Sequence, residues 1–221
     1  MKKSTEHIMQ PNSIPSDGNG TKPLVISRCG LYNLVYADPP WKYDNKRIGR
    51  DNKHGAEQNY LLTENDDLKK MPISKITQGE AVCFMWVTVP MMREGLELLA
   101  AWGFEYKTFF TWEKTGGLGM GRWLRVQTEH VLIGAKGKVK PFCFQEKNIY
   151  RHPISSHSQK PHFFRELVVK MASKSFDRLD KLELFARTRD GMFGDYEYEG
   201  WDVYGDQVNG SIDINAGSNG L

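Results

Sequence analysis

The tetrapeptide Asp38-Pro39-Pro40-Trp41 carries the clearest chemical signal in this 221-residue sequence. It follows the apolar stretch 34–37, which is typical of the end of a buried strand. Two consecutive prolines remove two backbone donors, so neither a helix nor a sheet ladder can continue through them. The predicted turn presents a carboxylate, a carbonyl and an indole, which can accept both hydrogens of an amino group and stack on its flat heterocycle. The alternative is a proline-rich strand exit with a surface tryptophan.

An α/β arrangement must position this turn, because strand and helix patterns alternate along the chain. The predicted helices begin after Thr63, after Pro90 and near Pro161, and the last of these places an apolar face on one side. The predicted strands are Tyr32 to Ala37, Ala81 to Val87, Tyr106 to Trp112, His130 to Ala135 and Lys181 to Ala186.

Several further motifs follow the tetrapeptide in a fixed order. Together they resemble the adenine-specific N6-methyltransferases that carry Asp-Pro-Pro-Trp, the family of the catalytic subunit of the mRNA N6-adenosine methyltransferase. The resemblance runs from about residue 32 to 208 and suggests a bacterial or phage DNA-modifying member. Its further motifs are residues 84–88, 101–104, 111–115, 121–124, 129–134, 156–157, 160–161, 182–187, 200–201 and 205–207.

This resemblance implies a single-domain, Rossmann-like methyltransferase sandwich with a circularly permuted motif order. It also implies S-adenosylmethionine as cofactor. The sequence contains no G-x-G-x-x-G after a strand and no P-loop, so the cofactor must be bound by another device. In the permuted order the late strand near residues 183–187 binds the cofactor, at the edge where open α/β sheets bind ligands.

Site residues follow from the same resemblance. Asp38, Pro39, Pro40 and Trp41 are the expected catalytic residues, with Asp38 meeting either the target amine or the cofactor ammonium. Lys160 precedes Pro161 at a predicted helix start and suits the cofactor carboxylate. The expected cofactor-binding residues are Asp38, Lys160, Glu183, Phe185, Arg187, Asp206 and Gln207, the last three of which resemble the ribose-binding group.

Positive charge is concentrated in two segments that flank the predicted strand ends. Residues 42–58 carry a net charge of +2 and residues 114–140 a net charge of +5, whereas residues 190–206 carry −6. Basic loops beside the site suit the neutralisation of nucleic-acid phosphates, and an aromatic residue among them suits base stacking. The alternative is two solvated loops. The expected nucleic-acid-binding residues are Tyr43, Arg47, Arg50, Arg122, Trp123 and Arg125.

Composition limits the remaining classes. Cys29, Cys83 and Cys143 are far apart, which argues against a zinc site or a disulfide framework and favours a reducing compartment. With the resemblance, this implies a cytoplasmic location in a bacterial or phage-infected host cell. The longest apolar run is too short to cross a bilayer. We predict a disordered arm over residues 1–22, a methyltransferase domain over 23–208 and a flexible tail over 209–221.

The sequence thus predicts transfer of a methyl group to the N6 amine of adenine in DNA, without a metal, by a monomer or a homodimer. Two alternatives stay open. One is an RNA adenosine N6-methyltransferase that uses the same site. The other is a non-catalytic nucleic-acid-binding subunit of a methyltransferase complex.

Overall fold

The computed structural model describes residues 24–25, 30–42, 65–117, 119, 123–142, 147–154, 160–186, 198–205 and 211–214. Within these residues a seven-stranded mixed sheet forms the centre of the molecule, in the order β6-β4-β5-β3-β2-β7-β8. Its strands are β2 Tyr32–Ala37, β3 Thr77–Val87, β4 Glu105–Thr115, β5 Thr128–Lys136, β6 Ile149–Pro153, β7 Lys181–Leu184 and β8 Asp202–Tyr204. A separate parallel pair joins β1 Leu24–Val25 to β9 Ile212–Asp213.

Helices cover both faces of the sheet and produce two hydrophobic clusters. One face packs against α1, α2 and α3, where Leu68, Ile73 and Leu98 join the core. The opposite face packs against α4 through Phe164 and Leu167. The result is the three-layer arrangement expected when both faces of a largely parallel sheet are apolar. The helices are α1 Asn65–Lys70, α2 Ile73–Ile76, α3 Met92–Ala101 and α4 His162–Ala172.

Five predicted strands are present, with differences at their ends. The strand over residues 32–37 is confirmed at both ends, whereas β3, β4 and β5 are longer than predicted because ladder pairing extends them through polar residues. The last predicted strand is too long, since β7 ends at Leu184. The apolar face of α4 is confirmed by the burial of Phe164, Leu167, Val168 and Met171.

The direction of the strands brings the candidate residues to one edge. Strand β2 is parallel to β3 and β7, so the carboxyl ends of all three lie together. Strand β5 is antiparallel to β3 and β4, which places its first residues at that same edge. Strand β2 lies between its successor β3 and the much later β7. This reversal of chain order is a topological switch point, the usual ligand site of an open α/β sheet.

The described core extends beyond the domain limit that composition predicts. Ile212 and Ile214 are buried in the same cluster as the α1–α3 face, although the predicted tail begins at residue 209. Composition did not indicate these two buried side chains, because they alternate with polar residues in a segment rich in Asn, Gly and Ser. In the part of the chain that the structure describes, no helix is long and apolar enough to cross a bilayer.

Candidate active site

The turn after β2 leaves the sheet at the switch point. The backbone N–H of Asp38 donates to the carbonyl of Leu184 at 3.4 Å and adds one contact beyond the β2–β7 ladder. The N–H of Trp41 then donates to the Pro39 carbonyl at 2.9 Å, which closes a three-residue turn around Pro40. The Pro39 carbonyl keeps a second lone pair for another donor. The chain therefore turns sharply with the Asp38 side chain at the carboxyl edge.

Lys160 meets the carboxylate of Asp38. Its Nζ atom donates to Asp38 Oδ1 at 3.0 Å and to Oδ2 at 2.9 Å, and both side chains are largely buried. Lys160 lies just before helix α4, and Asp38 directly follows the last residue of β2. The pair therefore joins the sheet to the helix across 122 positions of sequence. Two residues that the sequence motifs single out are thus in direct contact.

A second carboxylate and a second lysine extend this pair into a chain of alternating charges. Lys160 Nζ lies 3.3 Å from Glu129 Oε2, and the other oxygen of Glu129 accepts a hydrogen bond from Lys114. Each ammonium group also lies 5.1 Å from an indole centroid, Lys160 over Trp86 and Lys114 over Trp112. Such contacts favour a cation within a partly dehydrated site. We name this arrangement of Asp38, Lys160, Glu129 and Lys114 the charge chain.

Electrostatics keeps the middle of the charge chain ionised. Burial alone would raise the pKa of the Glu129 carboxyl, but the ammonium groups of Lys160 and Lys114 outweigh it, and the pKa lies below its ordinary value. Burial likewise opposes a charge on Lys160, yet the carboxylates of Asp38 and Glu129 raise its pKa above the ordinary lysine value. Both groups therefore stay charged throughout the neutral range.

The charge chain makes a prediction about stability. Glu129→Gln should lower the free energy of unfolding by about 1–3 kcal/mol at pH 7, the usual cost of leaving hydrogen-bonded charges unsatisfied. Because the folded pKa of Glu129 is lowered, its contribution is complete above the unfolded pKa of about 4.3 and is lost as pH falls through the folded pKa.

Urea denaturation of wild type and Glu129→Gln from pH 7 down to pH 3 would test this. The exposed Glu105→Gln is the control, since its ion pair with Lys107 lies at the surface. A stability difference that does not narrow below pH 4 would contradict the assigned titration.

Comparison with known proteins now identifies the fold and the motif set. The family model for MT-A70 matches residues 32–207, most of the chain. The chain belongs to the MT-A70 family. The charge chain and the turn at Asp38 both lie inside the matched region, so they are features of an MT-A70 domain.

Individual relatives differ in how much of their own length is matched. The type II methyltransferase M.MunI from Mycoplasma sp is 33% identical over 80% of this chain and 78% of its own. An MT-A70-like N(6)-adenosine-methyltransferase from Arabidopsis thaliana is 28% identical over 85% of this chain but only 25% of its own. The N(6)-adenosine-methyltransferase catalytic subunit METTL3 from Homo sapiens is 26% identical over 94% of this chain and 33% of its own. This chain thus spans a quarter to a third of these two longer relatives.

MT-A70 proteins are adenine N6-methyltransferases that use S-adenosylmethionine, and the described residues fit that cofactor. Its amino-acid end is a zwitterion, which needs an anion and a cation close together. Asp38 and Lys160 supply this pair at the switch point. No cluster of three or more potential metal ligands occurs among the described residues.

Trp41 does not present the free stacking face that the sequence suggests. Only 7% of it is exposed, and its Nε1–H donates to the carbonyl of Trp86 at 3.1 Å. The bond ties the turn after β2 to the end of β3, so the indole is part of the core. Sequence alone gives the residue type, whereas packing against the neighbouring strand decides which way the side chain points.

Two more of the expected cofactor residues, Glu183 and Phe185, lie on the late strand β7 and directly after it. The carboxylate of Glu183 accepts two hydrogen bonds from Arg165 of α4, at 2.6 and 2.9 Å, and both residues are buried. Phe185 follows β7 with φ of 63°, a conformation that non-glycine residues rarely adopt and that often marks a functional site. Its ring stacks on Trp102 and meets Tyr204 edge-on.

Close packing also brings the ends of β7 and β8 together. The N–H of Ala186 donates to the Tyr204 carbonyl at 3.0 Å, and a Cβ atom on Gly205 would lie 2.1 Å from the Ala186 carbonyl oxygen. A side chain at position 205 would therefore push the strand ends apart. The next residues along these two strands, Arg187 and Asp206, lie outside the described residues, as do Gln207, Tyr43, Arg47, Arg50 and Arg122.

Two described residues of the expected nucleic-acid surface lie in the connection between β4 and β5. Trp123 and Arg125 are both exposed, and neither takes part in the charge chain. Glu129 and Lys114 were not among the predicted site residues, although both lie in the motif segments. The signal available in the sequence was a charged residue at the end of an otherwise apolar strand.

Proposed function

We propose that this chain transfers a methyl group from S-adenosylmethionine to the exocyclic N6 amine of adenine in DNA. The contact of Lys160 with both carboxylate oxygens of Asp38 at the switch point carries the proposal. It supports a site where a zwitterionic cofactor and an amino group can meet. The finer fold assignment, a Rossmann-like sandwich with circularly permuted motifs, is part of the same proposal, supported by the late position of β7 beside β2.

In this mechanism Asp38 and Pro39 orient the target amine. A carboxylate has about four lone-pair positions, and Lys160 takes one on each oxygen of Asp38. The remaining positions, together with the free lone pair of the Pro39 carbonyl, can accept the two amine hydrogens. Holding both hydrogens aims the nitrogen lone pair, which is otherwise delocalised into the adenine ring. Pro40 fixes the turn and Trp41 anchors it to β3.

When bound, S-adenosylmethionine would supply the methyl group: the amine nitrogen would bond to the methyl carbon as the S–CH3 bond breaks, S-adenosylhomocysteine would leave, and the nitrogen would release one proton to solvent. Lys160 would bind the cofactor carboxylate, and Asp38 would meet the cofactor ammonium or the target amine. We propose that Phe185, Arg187, Asp206 and Gln207 complete the cofactor site around the ends of β7 and β8. Glu183 supports the cofactor site indirectly, because its carboxylate accepts hydrogen bonds from Arg165.

Phosphate and base contacts complete the proposal. Four arginines lie in the two segments of net positive charge and suit contacts to the nucleic-acid backbone: Arg47, Arg50, Arg122 and Arg125. Tyr43 and Trp123 suit contacts to bases. Binding through such residues weakens as salt concentration rises, with a slope that reports the number of phosphate contacts.

The choice of DNA over RNA rests on the relatives. The type II methyltransferase M.MunI is matched over most of its own length, whereas the two N(6)-adenosine-methyltransferases are matched over a third or less. The matched region therefore covers a larger share of the type II enzyme than of these two longer relatives. RNA is the second candidate, because the longer relatives carry adenosine in their names.

One experiment decides between the acceptors. Purified protein is incubated with labelled S-adenosylmethionine and equal masses of duplex DNA, single-stranded DNA and RNA of the same sequence, and N6-methyladenine is measured after digestion. We expect label in DNA in preference to RNA, and only a small fraction of that label with Asp38→Asn. Preference for RNA would overturn the choice of acceptor, and equal methylation of free adenosine would overturn nucleic-acid recognition altogether.

A further inference from the structure

One of the six tryptophans differs from the rest in its surroundings. Four are buried, and Trp201 is partly buried beside Tyr36 and Lys181. Trp123, in contrast, is 97% exposed, and the next residue, Leu124, is 81% exposed. Tryptophan is highly buried on average in folded proteins, so two adjacent large apolar side chains in water suggest a surface that meets something else.

This pair lies in the connection between β4 and β5, beyond the contact of Gly119 with Val126, in the part that we call the tip. Beyond the β4–β5 ladder, the N–H of Lys114 donates to the Gln127 carbonyl at 2.8 Å, and the N–H of Gly119 donates to the Val126 carbonyl at 2.8 Å. The second of these bonds joins the two ends of the segment that contains Trp123 and Leu124. The base of the connection carries Lys114 and Glu129, so the tip projects from the same edge of the sheet as the charge chain.

Distance and charge indicate the occupant. Trp123 lies six positions before Glu129, so the two Cα atoms are within about 20–22 Å of each other even when the segment is fully extended. Arg125 is exposed beside the tip, and residues 114–140 have a net charge of +5. A ligand that is negatively charged outside and apolar inside fits such a tip. Duplex nucleic acid has both properties, because charged phosphates surround its stacked base pairs.

We propose that Trp123 and Leu124 form a wedge that enters the base stack of duplex DNA while the target adenine leaves it. This inference rests on the proposed function. An adenine amine inside a duplex cannot reach Asp38, and extruding the base costs a few kcal/mol in lost stacking and pairing. Apolar side chains inserted between base steps offset part of that cost by covering the exposed ring faces. The burial of Trp41 leaves this task to another aromatic residue.

The test compares substrates that differ in the cost of extrusion. Trp123→Ala, Leu124→Ala and Trp123→Phe are assayed on a matched duplex, on the same duplex with an abasic site opposite the target, and on the single strand. We expect Trp123→Ala to lower kcat/KM on the matched duplex by about tenfold, and by clearly less on the other two substrates, where little pairing is lost. Trp123→Phe should retain most of the activity. Leu96→Ala, an exposed apolar residue on α3, is the control.

The outcomes separate this inference from the proposed function. Wild-type protein that methylates no DNA refutes both. If the wild type methylates duplex DNA, two results for Trp123→Ala would refute the wedge alone. One is unchanged activity on the matched duplex, and the other is an equal loss on all three substrates. A change from dimer to monomer in sedimentation of Trp123→Ala would assign the tip to contact between two copies of the chain, and would also overturn the wedge.

Discussion

Asp38→Ala should lower the rate of methyl transfer at least about a hundredfold, because preorganised contacts to a reacting group contribute on that scale. Asp38→Asn should lose nearly as much, although it preserves shape. An amide has one acceptor oxygen instead of two, and its NH₂ group would face either the Lys160 ammonium or the target amine. Single-turnover rates with labelled cofactor would measure the chemical step without product release.

Affinity for the cofactor then separates the two roles open to Asp38. If the carboxylate chiefly holds the target amine, the affinity measured by isothermal titration falls much less than the rate. If it chiefly holds the cofactor ammonium, rate and affinity fall together. Asp66→Asn, on the exposed surface of α1, is the matched control. Near-normal turnover in a folded Asp38→Ala protein would remove Asp38 from the reaction.

Much of this fold could be predicted because its central elements have strong local patterns. Strand β2 is an uninterrupted buried strand, and α4 buries the four apolar side chains that the sequence places on one face. Strand β6 was missed because its residues alternate between exposed and partly exposed and include Pro153. Parallel pairing with β4, at the edge of the sheet, makes it a strand. Such long-range pairing has no signature in the local sequence.

The site was predictable in part for a similar reason. Asp38 and Lys160 stand out because each is next to a proline that fixes the local backbone. Glu129 and Lys114 do not stand out, since charged residues at strand ends are usually solvated. Their role depends on the antiparallel register that places Trp112 opposite Glu129. It also depends on the residue before α4, Lys160, which contacts Glu129. Only the assembled sheet brings these charges together.

Lys160→Met should weaken S-adenosylmethionine binding by roughly 1.5–3 kcal/mol, the usual range for hydrogen bonds to a charged group. The loss has two sources in this structure. The cofactor carboxylate loses its cation, and the carboxylates of Asp38 and Glu129 no longer have an ammonium group between them. Lys114 still pairs with Glu129, so the greater imbalance falls on Asp38. Lys174→Met, exposed just after α4, is the control for removal of one positive charge.

A truncated ligand distinguishes direct contact from rearrangement of the charge chain. Methylthioadenosine retains the adenine and ribose of the cofactor but lacks its amino-acid end. If Lys160 binds the carboxylate, isothermal titration should show a loss of affinity for S-adenosylmethionine in Lys160→Met and an unchanged affinity for methylthioadenosine. Equal losses for both ligands would mean that Lys160 shapes the whole site through Asp38 and Glu129. In that case Asp38→Asn combined with Lys160→Met should be strongly non-additive, because the two residues would act as one unit.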